Sequence, residues 1–315
     1  MDNDDFLKEI SFLKHEINRS LKKILIKDKP KYLYDPIKYS IINSGKRLRP
    51  ILVFLSGKLF NSNVNDLMNA AVAVELLHIF TLIHDDIMDG DDIRHGKPSL
   101  HEKWDTSTAI LCGDAIFTLA QLAISNLNNN AHNRMNEISL LVCEGQALDK
   151  EFENDNSISM DKYLDMITKK TGSLLGLCSE LGAIVSKEEI DIRSKLYSFG
   201  VNLGLAFQIQ DDYLEIFGEQ QLMGKSLGSD IYSGKQTAMT ILARSINEKK
   251  WEDLIFRKTD LQSYRDFFLA NRIDYEIKKL VEYYIDRTTE CVEFAHSFEN
   301  NFLDSFSSYI LNRRY

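Results

Sequence analysis

Two groups of acidic residues, one in each half of the chain, share a short spacing that suits metal binding. The candidate metal ligands are Asp85, Asp86, Asp89, Asp211, Asp212 and Glu215. On an α-helix, positions i and i+4 lie on one face, so Asp85 and Asp89 are placed to hold one metal centre. Carboxylate oxygens suit Mg2+, which also takes phosphate oxygens as ligands. The spacing therefore predicts two magnesium-binding groups.

The context of the two groups strengthens this prediction. The spacing alone carries little weight, because a chain with 47 acidic residues among 315 contains about one such triplet by chance. However, each group follows an apolar segment, residues 80–83 or 205–209, in which a carboxylate is costly unless it is paired or binds a metal. Basic residues follow each group, at positions 94–97 and 225–235. Metal-binding acids with cations nearby indicate a diphosphate site.

The chain that positions these groups is predicted to be α-helical. It has only 4 prolines, and after Pro98 none is present to interrupt a helix by removing a backbone donor. Apolar residues recur at steps of three and four from Phe6 to Ile24, which predicts an amphipathic helix. A long, mostly apolar helix is predicted over 65–89, so that the first acidic group closes a buried helix.

Other boundaries follow from capping and helix-breaking residues. Asp35 and Pro36 suit an N-cap and a first helical position, so a second helix is predicted to begin there. Segments 90–100 and 218–234 are predicted to be irregular. Further helices are predicted over 49–60, 107–127, 130–152, 160–184, 187–217 with a break near Gly200, and beyond 234 with joints near Lys249 and Arg272. No repeat or linker divides the chain, so residues 1–315 are predicted to form one all-α domain, a helical bundle around a central cavity.

Composition narrows the classes of function. The net charge of -9 argues against a nucleic-acid partner, because a basic surface normally supplies the affinity for phosphate backbones. No uncharged apolar run reaches the roughly 18 residues that a membrane helix needs. The acidic N-terminus does not resemble a signal peptide, and the four cysteines form no CxxC pair, as expected in a reducing compartment. We therefore expect a cytoplasmic protein without a membrane span.

Seven short segments follow one another along the chain. They are Gly45-Lys-Arg-Leu-Arg-Pro50, Leu77-His78, Asp85-Asp-Ile-Met-Asp89 with Arg94-His-Gly-Lys-Pro98, Gly145-Gln146, Lys170-Thr171-Gly172, Phe207-Gln-Ile-Gln-Asp-Asp212, and Gly224-Lys225 to Lys235. In this order they resemble the polyprenyl synthetase family of trans-prenyltransferases. The resemblance implies the isoprenoid synthase fold and a Mg2+-dependent enzyme that joins an allylic diphosphate to isopentenyl diphosphate head to tail.

The resemblance also implies the roles of individual residues. Three Mg2+ ions would hold the allylic diphosphate between the two acidic groups. Isopentenyl diphosphate would be bound by Lys46, Arg49, His78 and His95. The allylic substrate would be contacted by Arg94, Lys170, Thr171, Gln208, Lys225 and Lys235. Of these, the residues that would act in catalysis are Arg94, Lys170, Thr171 and Gln208. The family further implies a homodimer.

Two positions depart from the family pattern. His95 stands where a second arginine is usual, which predicts a weaker and pH-dependent contact with isopentenyl diphosphate. Glu215 stands where aspartate is common, and its longer side chain predicts a more loosely held third metal ion.

Phe80 and Thr81 are the candidate chain-length residues. Phe80 lies five residues before Asp85, roughly 7 Å along the helix at about 1.5 Å per residue. An aromatic residue at position 80 beside a small residue at position 81 resembles geranylgeranyl diphosphate synthases, whereas paired aromatics would indicate farnesyl diphosphate. We expect geranylgeranyl diphosphate as the product, with farnesyl diphosphate as the alternative.

Three other interpretations remain open at this point. Glu75-Leu-Leu-His78 and Glu293-Phe-Ala-His296 have the ExxH spacing of di-iron carboxylate bundles, which would indicate an oxidoreductase. A terpene cyclase could share the fold and the first acidic group, but it would not need an isopentenyl diphosphate site at Lys46 and Arg49. A non-catalytic subunit of a heteromeric synthase would be expected to lose the metal carboxylates, and this chain keeps both groups.

Overall fold

The computed structural model describes residues 3–25, 27–43, 45–218, 227–257, 259–299 and 301–311. In chain order its helices are α1 (Asn3–Ile24), α2 (Lys31–Asn43), α3 (Leu48–Lys58), α4 (Val64–Asp89), α5 (Leu100–Lys103), α6 (Thr106–Ile124), α7 (Asn129–Phe152), α8 (Met160–Ile167), α9 (Ser173–Ser186), α10 (Ile190–Phe217), α11 (Ser229–Tyr232), α12 (Ala238–Phe256), α13 (Leu261–Ala270), α14 (Ile273–Val292) and α15 (Leu303–Leu311). A π-helical turn, Thr168–Gly172, joins α8 to α9, and a 3-10 turn, Glu293–Ser297, follows α14. Within the described ranges the only strands, β1 (Ile93–Arg94) and β2 (Lys97–Pro98), form a short antiparallel ribbon after α4.

The core consists of two clusters of apolar side chains. In the larger cluster, α4 packs against α3 and α6, and α9 packs against α3 and α10. Every residue of α9 from Ser173 to Ile184 is buried, and the long helix predicted over 65–89 is confirmed as α4. The smaller cluster surrounds Trp251 and packs α12, α13 and α14 against α8 and α10. The ends of α4 and α10 that carry the acidic groups are therefore held by packed helices.

Helix α2 begins at Lys31, earlier than predicted. The N–H groups of Leu33 and Tyr34 both donate to the carbonyl oxygen of Pro30 at 3.1 Å, so the first turn forms on Pro30. Pro36 lies inside the helix, where its missing N–H removes only one backbone bond. The prediction that Asp35 and Pro36 start this helix was wrong, because backbone bonds to Pro30 already provide the start.

Helix α10 runs from Ile190 to Phe217 without the break predicted near Gly200. A Cβ atom at Gly200 would lie 2.2 Å from the carbonyl oxygen of Leu175 on α9. Glycine is needed here because the two helices approach each other closely, and it does not interrupt the helix. Near the C-terminus, the joint predicted at Arg272 separates α13 from α14, whereas the joint predicted near Lys249 is a kink at Asn247 within α12.

Two helices are long and apolar enough to cross a membrane by length and composition alone. They are α4 and α6, whose most apolar 18-residue windows have a mean hydropathy of 1.6 and 1.5. Of the most apolar window, 61% is buried inside the protein in α4 and 39% in α6. The two helices also pack against each other. Helix α4 is therefore accounted for as a core helix, whereas most of the apolar window of α6 is not buried within this chain.

Candidate active site

The π-helical turn between α8 and α9 carries Lys170 and Thr171 at the centre of the site. A Cβ atom at Gly145 of α7 would lie 2.3 Å from the backbone nitrogen of Lys170. On the other side, a Cβ atom at Gly204 of α10 would lie 2.7 Å from the Cα atom of Gly172. The two glycines therefore allow α7 and α10 to approach the turn from both sides. Such π-helical irregularities are frequent at functional sites.

Side chains from this turn reach both acidic groups. The Nζ atom of Lys170 lies 3.3 Å from Oδ1 of Asp85 on α4. The Oγ1 hydroxyl of Thr171 donates to Oε1 of Gln208 at 3.0 Å, and Nε2 of Gln208 donates to Oδ1 of Asp212 at 3.0 Å. A chain of polar contacts thus runs from α4 through the turn to α10. The two acidic groups therefore belong to one site, although Asp85 and Asp211 are 126 residues apart in the sequence.

Lysines surround the carboxylate that ends α4. The Nζ atom of Lys235 lies 2.8 Å from Oδ2 of Asp89, and that of Lys150 lies 3.4 Å from Oδ1. Burial raises the pKa of Asp89, but the charges of Lys235, Lys170 and Lys150 outweigh it and lower the pKa overall. Asp89 is therefore ionised at neutral pH, which its predicted role as a metal ligand requires.

Asp149 on α7 belongs to the site and was not predicted from the sequence. Its Oδ2 atom lies 2.6 Å from Nζ of Lys170. Burial lowers the pKa of Lys170, but the charges of Asp85 and Asp149 outweigh it and raise the pKa, so Lys170 stays cationic. One turn earlier, Nε2 of Gln146 is buried and has no hydrogen-bond partner among the described residues. The i, i+3 spacing from Gln146 is the pattern that could have identified Asp149.

On α10, protein donors hold two carboxylates of the second acidic group. Tyr163 of α8, another residue not predicted, donates from Oη to Oδ2 of Asp212 at 2.6 Å. Burial raises the pKa of Asp212 to about 7, although the hydrogen bonds from Tyr163 and Gln208 act against it. Oε1 of Glu215 accepts a bond from Oγ of Ser229 at 2.9 Å and one from the N–H of residue 230 at 3.2 Å. Glu215 is thereby joined to the N-terminus of α11.

Asp86 faces the β1–β2 ribbon and holds Arg94. The Nε atom of Arg94 donates to Oδ1 of Asp86 at 2.7 Å, and its Nη2 atom donates to Oδ2 of Asp91 at 3.0 Å. Burial raises the pKa of Asp86 to about 6, and Arg94 counteracts part of this rise. Asp86 therefore fixes the position of Arg94 beside the first acidic group.

The residues predicted to bind isopentenyl diphosphate lie together near the start of α3. The Nη1 atom of Arg49 is 3.0 Å from Nε2 of His78 on α4. Burial, followed by the charges of Arg49, His95 and Arg94, lowers the pKa of His78 well below its usual value, so the ring is neutral and accepts a bond from Arg49. The pKa of His95 is lowered by burial and then by nearby cations, including Arg94 and Lys46. Lys46, Arg49, His78 and His95 thus form one group of neighbouring side chains, here called the basic pocket.

Phe80 faces α6 at the apolar end of the site. Its ring centroid lies 5.0 Å from that of Phe117 on α6 and 4.6 Å from that of His84. The hydroxyl of Thr81 donates to the carbonyl oxygen of His78 at 2.8 Å, so its polar group is satisfied within α4. Phe80 and Phe117 thus form an aromatic contact between α4 and α6. Phe117 was not predicted, because no sequence pattern relates it to Phe80.

The structure thus brings most of the predicted site residues together. Asp211 is partly buried on α10, one position before Asp212. Lys225 lies outside the described residues, and its predicted contact stays a prediction. The metal-binding roles of all six carboxylates also stay predictions.

The di-iron interpretation has no support in the geometry. Glu75 forms an ion pair with Arg47, and Nε2 of His296 lies 3.0 Å from Asp304. Within the described part of the chain, only one group of three or more His, Cys, Asp or Glu side chains has its ligand atoms close enough to share an ion. This group consists of Asp92, His101 and Glu102. That group contains neither ExxH segment.

The donor set of the site fits Mg2+. The candidate ligands are all carboxylates, and hard oxygen donors of this kind suit Mg2+ better than softer metals. Lys170 and Lys235 contact these carboxylates directly, so positive charges that could face a diphosphate lie beside the candidate metal ligands. The buried amide of Gln146 adds a donor for an anionic or polar ligand.

The sequence and the fold are both similar to those of known prenyl diphosphate synthases. A sequence profile of the polyprenyl synthetase family matches residues 30–266. The geranylgeranyl diphosphate synthase of Methanosarcina mazei is 33% identical over 320 residues, covering 98% of this chain and 98% of that protein. The short chain isoprenyl diphosphate synthase of Methanocaldococcus jannaschii is 42% identical over 234 residues, covering 72% and 71%. The crystal structure of a polyprenyl synthase from Caulobacter crescentus, complexed with calcium and isoprenyl diphosphate, matches with a TM-score of 0.90 at 26% identity and covers 100% of this chain and 98% of that chain.

The fold and the site define an all-α prenyltransferase with the isoprenoid synthase fold. The chain belongs to the polyprenyl synthetase family. It is a prenyl diphosphate synthase of the short-chain class, so the predicted fold, enzyme class and family are confirmed. The terpene cyclase and non-catalytic subunit interpretations are thereby set aside.

Proposed function

We propose that this enzyme condenses an allylic diphosphate with isopentenyl diphosphate head to tail, in the presence of Mg2+, and forms all-trans geranylgeranyl diphosphate. The observation that carries the proposal is the contact chain from Asp85 through Lys170 and Thr171 to Gln208 and Asp212. It joins acidic groups from both halves of the chain around one cationic turn. A diphosphate bound with metal ions requires such an arrangement of acids and bases.

In this proposal Asp85, Asp89 and Asp211 would hold the metal ions, three in number, with Glu215 as a further ligand. When bound, Mg2+ would neutralise charge on the departing diphosphate. Asp86 and Asp212 in addition hold Arg94 and Gln208, from which they accept hydrogen bonds. The Caulobacter crescentus enzyme, described with calcium and isoprenyl diphosphate, supports a site for a divalent metal with a diphosphate.

The cationic side chains of the site stabilise the charge that develops as the allylic carbon–oxygen bond breaks. Lys170, Lys235 and Arg94 are held close to the acidic groups by Asp85, Asp89 and Asp86, and such preorganised charges act without reorganisation cost. As the bond breaks, the carbon becomes cationic, and the double bond of isopentenyl diphosphate attacks it. A carbon–carbon bond forms, and a proton is lost to the released diphosphate.

Two polar groups and the apolar helices protect the allylic cation. Thr171 and Gln208 are fixed by their mutual hydrogen bond, so their oxygen dipoles are positioned to stabilise positive charge. The apolar residues of α4 and α9 exclude water, which would otherwise react with the cation. Lys46, Arg49, His78 and His95 bind the diphosphate of isopentenyl diphosphate.

The length of the product is set by the aromatic pair of Phe80 and Phe117. In this proposal the growing hydrocarbon chain extends from the acidic group along α4 until it meets the contact of Phe80 with Phe117. The small side chain of Thr81 leaves room beside it. These features support geranylgeranyl diphosphate, and the name of the Methanosarcina mazei relative agrees.

We further infer a homodimer that forms through α6 and works in the cytoplasm. On α6 the apolar side chains of Ile110, Leu111 and Leu122 are 45%, 45% and 60% exposed, and Leu140 of α7 is 62% exposed. Apolar side chains exposed on neighbouring helices are typical of a protein interface. Light scattering after size exclusion tests this proposal, and a monomer mass for the active enzyme would overturn it.

The product assay tests the proposed function. The protein is incubated with Mg2+, labelled isopentenyl diphosphate and, in separate reactions, dimethylallyl, geranyl or farnesyl diphosphate, and the products are sized by chromatography. We expect a C20 product from each starter and no product in EDTA. A dominant C15 product would favour farnesyl diphosphate, and no product with any starter would contradict the proposal.

A further inference from the structure

Arg47 differs from its basic neighbours because its side chain is directed into the protein. The side chain is 3% exposed, whereas Lys46 is an exposed residue and Arg49 contacts His78 in the basic pocket. Burial of a guanidinium costs free energy unless its charge is paired and its N–H donors form hydrogen bonds. The contacts of Arg47 therefore indicate what this residue does.

One guanidinium joins three helices to the start of α3. Its Nε atom donates to Oδ1 of Asn18 on α1 at 2.9 Å, and its Nη2 atom donates to the carbonyl oxygen of Ile41 on α2 at 2.6 Å. Its Nη1 atom forms an ion pair with the buried carboxylate of Glu75 on α4. Arginine is suited to this because its planar fork presents several donors in fixed directions.

The backbone of Arg47 is also unusual. Its φ of 60° and ψ of 32° lie in the left-handed region, immediately before the first turn of α3. A residue with a Cβ atom adopts this conformation at a cost and keeps it where the surroundings hold it. The bonds of the guanidinium supply that constraint. The same backbone turn sets the directions of Lys46 and Arg49 on either side.

Two cross-links connect the start of α3 to α4 side by side. Glu75 lies three residues before His78, about one helical turn away on α4. The buried pair of Arg47 and Glu75 therefore runs alongside the contact of Arg49 with His78 in the basic pocket. Movement of the first pair would displace the second.

We propose that Arg47 is a positioning residue for isopentenyl diphosphate: with Glu75 it holds the left-handed turn that places Lys46 and Arg49 beside His78. This inference rests on the proposed function, because it assumes that the basic pocket binds isopentenyl diphosphate. Arg47 itself does not touch substrate. It affects the binding of isopentenyl diphosphate only, because the allylic diphosphate is bound by the acidic groups and the π-helical turn.

The test compares KM values for the two substrates in Arg47→Lys, Glu75→Gln and the double variant. We expect each single variant to raise the KM for isopentenyl diphosphate roughly tenfold, as is usual for groups that orient ligand-binding residues, with the allylic KM unchanged. The double variant should be no worse than Arg47→Lys alone, because the pair with Glu75 that the second change would break is already disturbed in Arg47→Lys. Asn18→Ala removes a single bond and should raise the same KM by a smaller factor.

Glu180→Gln is the matched control. Glu180 is also a buried carboxylate, and it pairs with Arg134 at 2.7 Å and with Arg193 at 3.0 Å, joining α7, α9 and α10. We expect this control to lower the thermal unfolding midpoint while both KM values stay at the wild-type level. If Arg47→Lys does not fold, Glu75→Gln and Asn18→Ala decide the outcome in the same way.

The outcomes separate the inference from the proposed function. A rise confined to the KM for isopentenyl diphosphate supports the inference. An unchanged KM in folded variants, or equal changes in both KM values, overturns it and leaves the proposed function intact. A wild-type protein that forms no product with any starter overturns the proposed function, and the inference falls with it.

Discussion

Lys170 in the π-helical turn lies 3.3 Å from Asp85 at the end of α4, measured from Nζ to Oδ1. Asp149 holds the same Nζ atom at 2.6 Å from the opposite helix α7. The lysine is thus fixed in place before any ligand binds. A bound diphosphate would meet a cation whose position is already set, which is the condition for strong electrostatic stabilisation.

Lys170→Ala is expected to lower kcat by about 10²-fold to 10³-fold, the usual effect of removing one preorganised donor to developing charge. Lys169→Ala is the matched control. Lys169 lies in the same turn, but its Nζ atom pairs with Asp165 at 3.1 Å, away from the acidic groups. Steady-state kinetics on both variants test this prediction, and equal losses of activity would show that the turn, rather than the charge of Lys170, is required.

Asp85→Asn and Asp211→Asn are expected to cause similar losses of activity, although the two residues lie in opposite halves of the chain. Each change removes a charge from one shared metal site, so the double variant should be little worse than either single variant. Asp191→Asn, an exposed residue at the start of α10, serves as the control and should keep wild-type activity. Full additivity in the double variant would indicate two independent sites.

Phe80→Ala is expected to lengthen the product beyond C20, because it removes one ring of the aromatic contact between α4 and α6 that the growing chain would meet. Phe117→Ala should act in the same direction. Phe60→Ala removes a ring that packs against Phe298, at a centroid distance of 5.7 Å, and provides a control for loss of packing alone. Chromatography of the products tests the prediction, and an unchanged product in Phe80→Ala would remove Phe80 from the account of chain length.

His78 is expected to make the stability of the protein depend on pH. Burial and then Arg49 lower its pKa in the folded state well below the usual value of 6.5. Below about pH 6.5 the unfolded chain takes up a proton that the folded protein does not, so the free energy of unfolding falls by up to about 1.4 kcal/mol per pH unit. Above that pH the His78 ring is neutral in both the folded and the unfolded chain, so its effect on the free energy of unfolding no longer changes with pH.

Denaturant unfolding of His78→Gln from about pH 8 to about pH 5 checks this expectation. The variant should lose stability less steeply than the wild type as the pH falls. His15→Gln, at an exposed position on α1, should keep the wild-type slope. Identical slopes for wild type and His78→Gln would mean that the buried ring does not contribute.

The acidic spacing and the apolar periodicity were sufficient to predict the helical class, helix α4 and the two groups of carboxylates. These features are local in sequence, because residues that share a helix face are separated by three or four positions. The site residues that were missed depend on contacts between distant segments. Tyr163 and Asp149 act through Asp212 and Lys170, which lie 49 and 21 residues away.

Glycine and proline gave the least reliable predictions. Gly200 is consistent with a helix break in the sequence, yet it allows α9 to approach α10. Pro36 resembles a helix start, yet Pro30 provides the bonds that begin α2. The π-helical turn at 168–172 has no sequence periodicity of its own, and its close contacts with α7 and α10 join segments that are distant in sequence.

We propose that carboxylates from both halves of the chain share metal ions around one diphosphate. A crystal structure with Mn2+ and an unreactive allylic diphosphate analogue tests it most directly, because anomalous scattering locates each ion. We predict ions within about 2.0–2.2 Å of oxygens from Asp85 or Asp89 and from Asp211, with the diphosphate between them. Ions bound at only one acidic group, or a diphosphate bound away from both, would contradict the account.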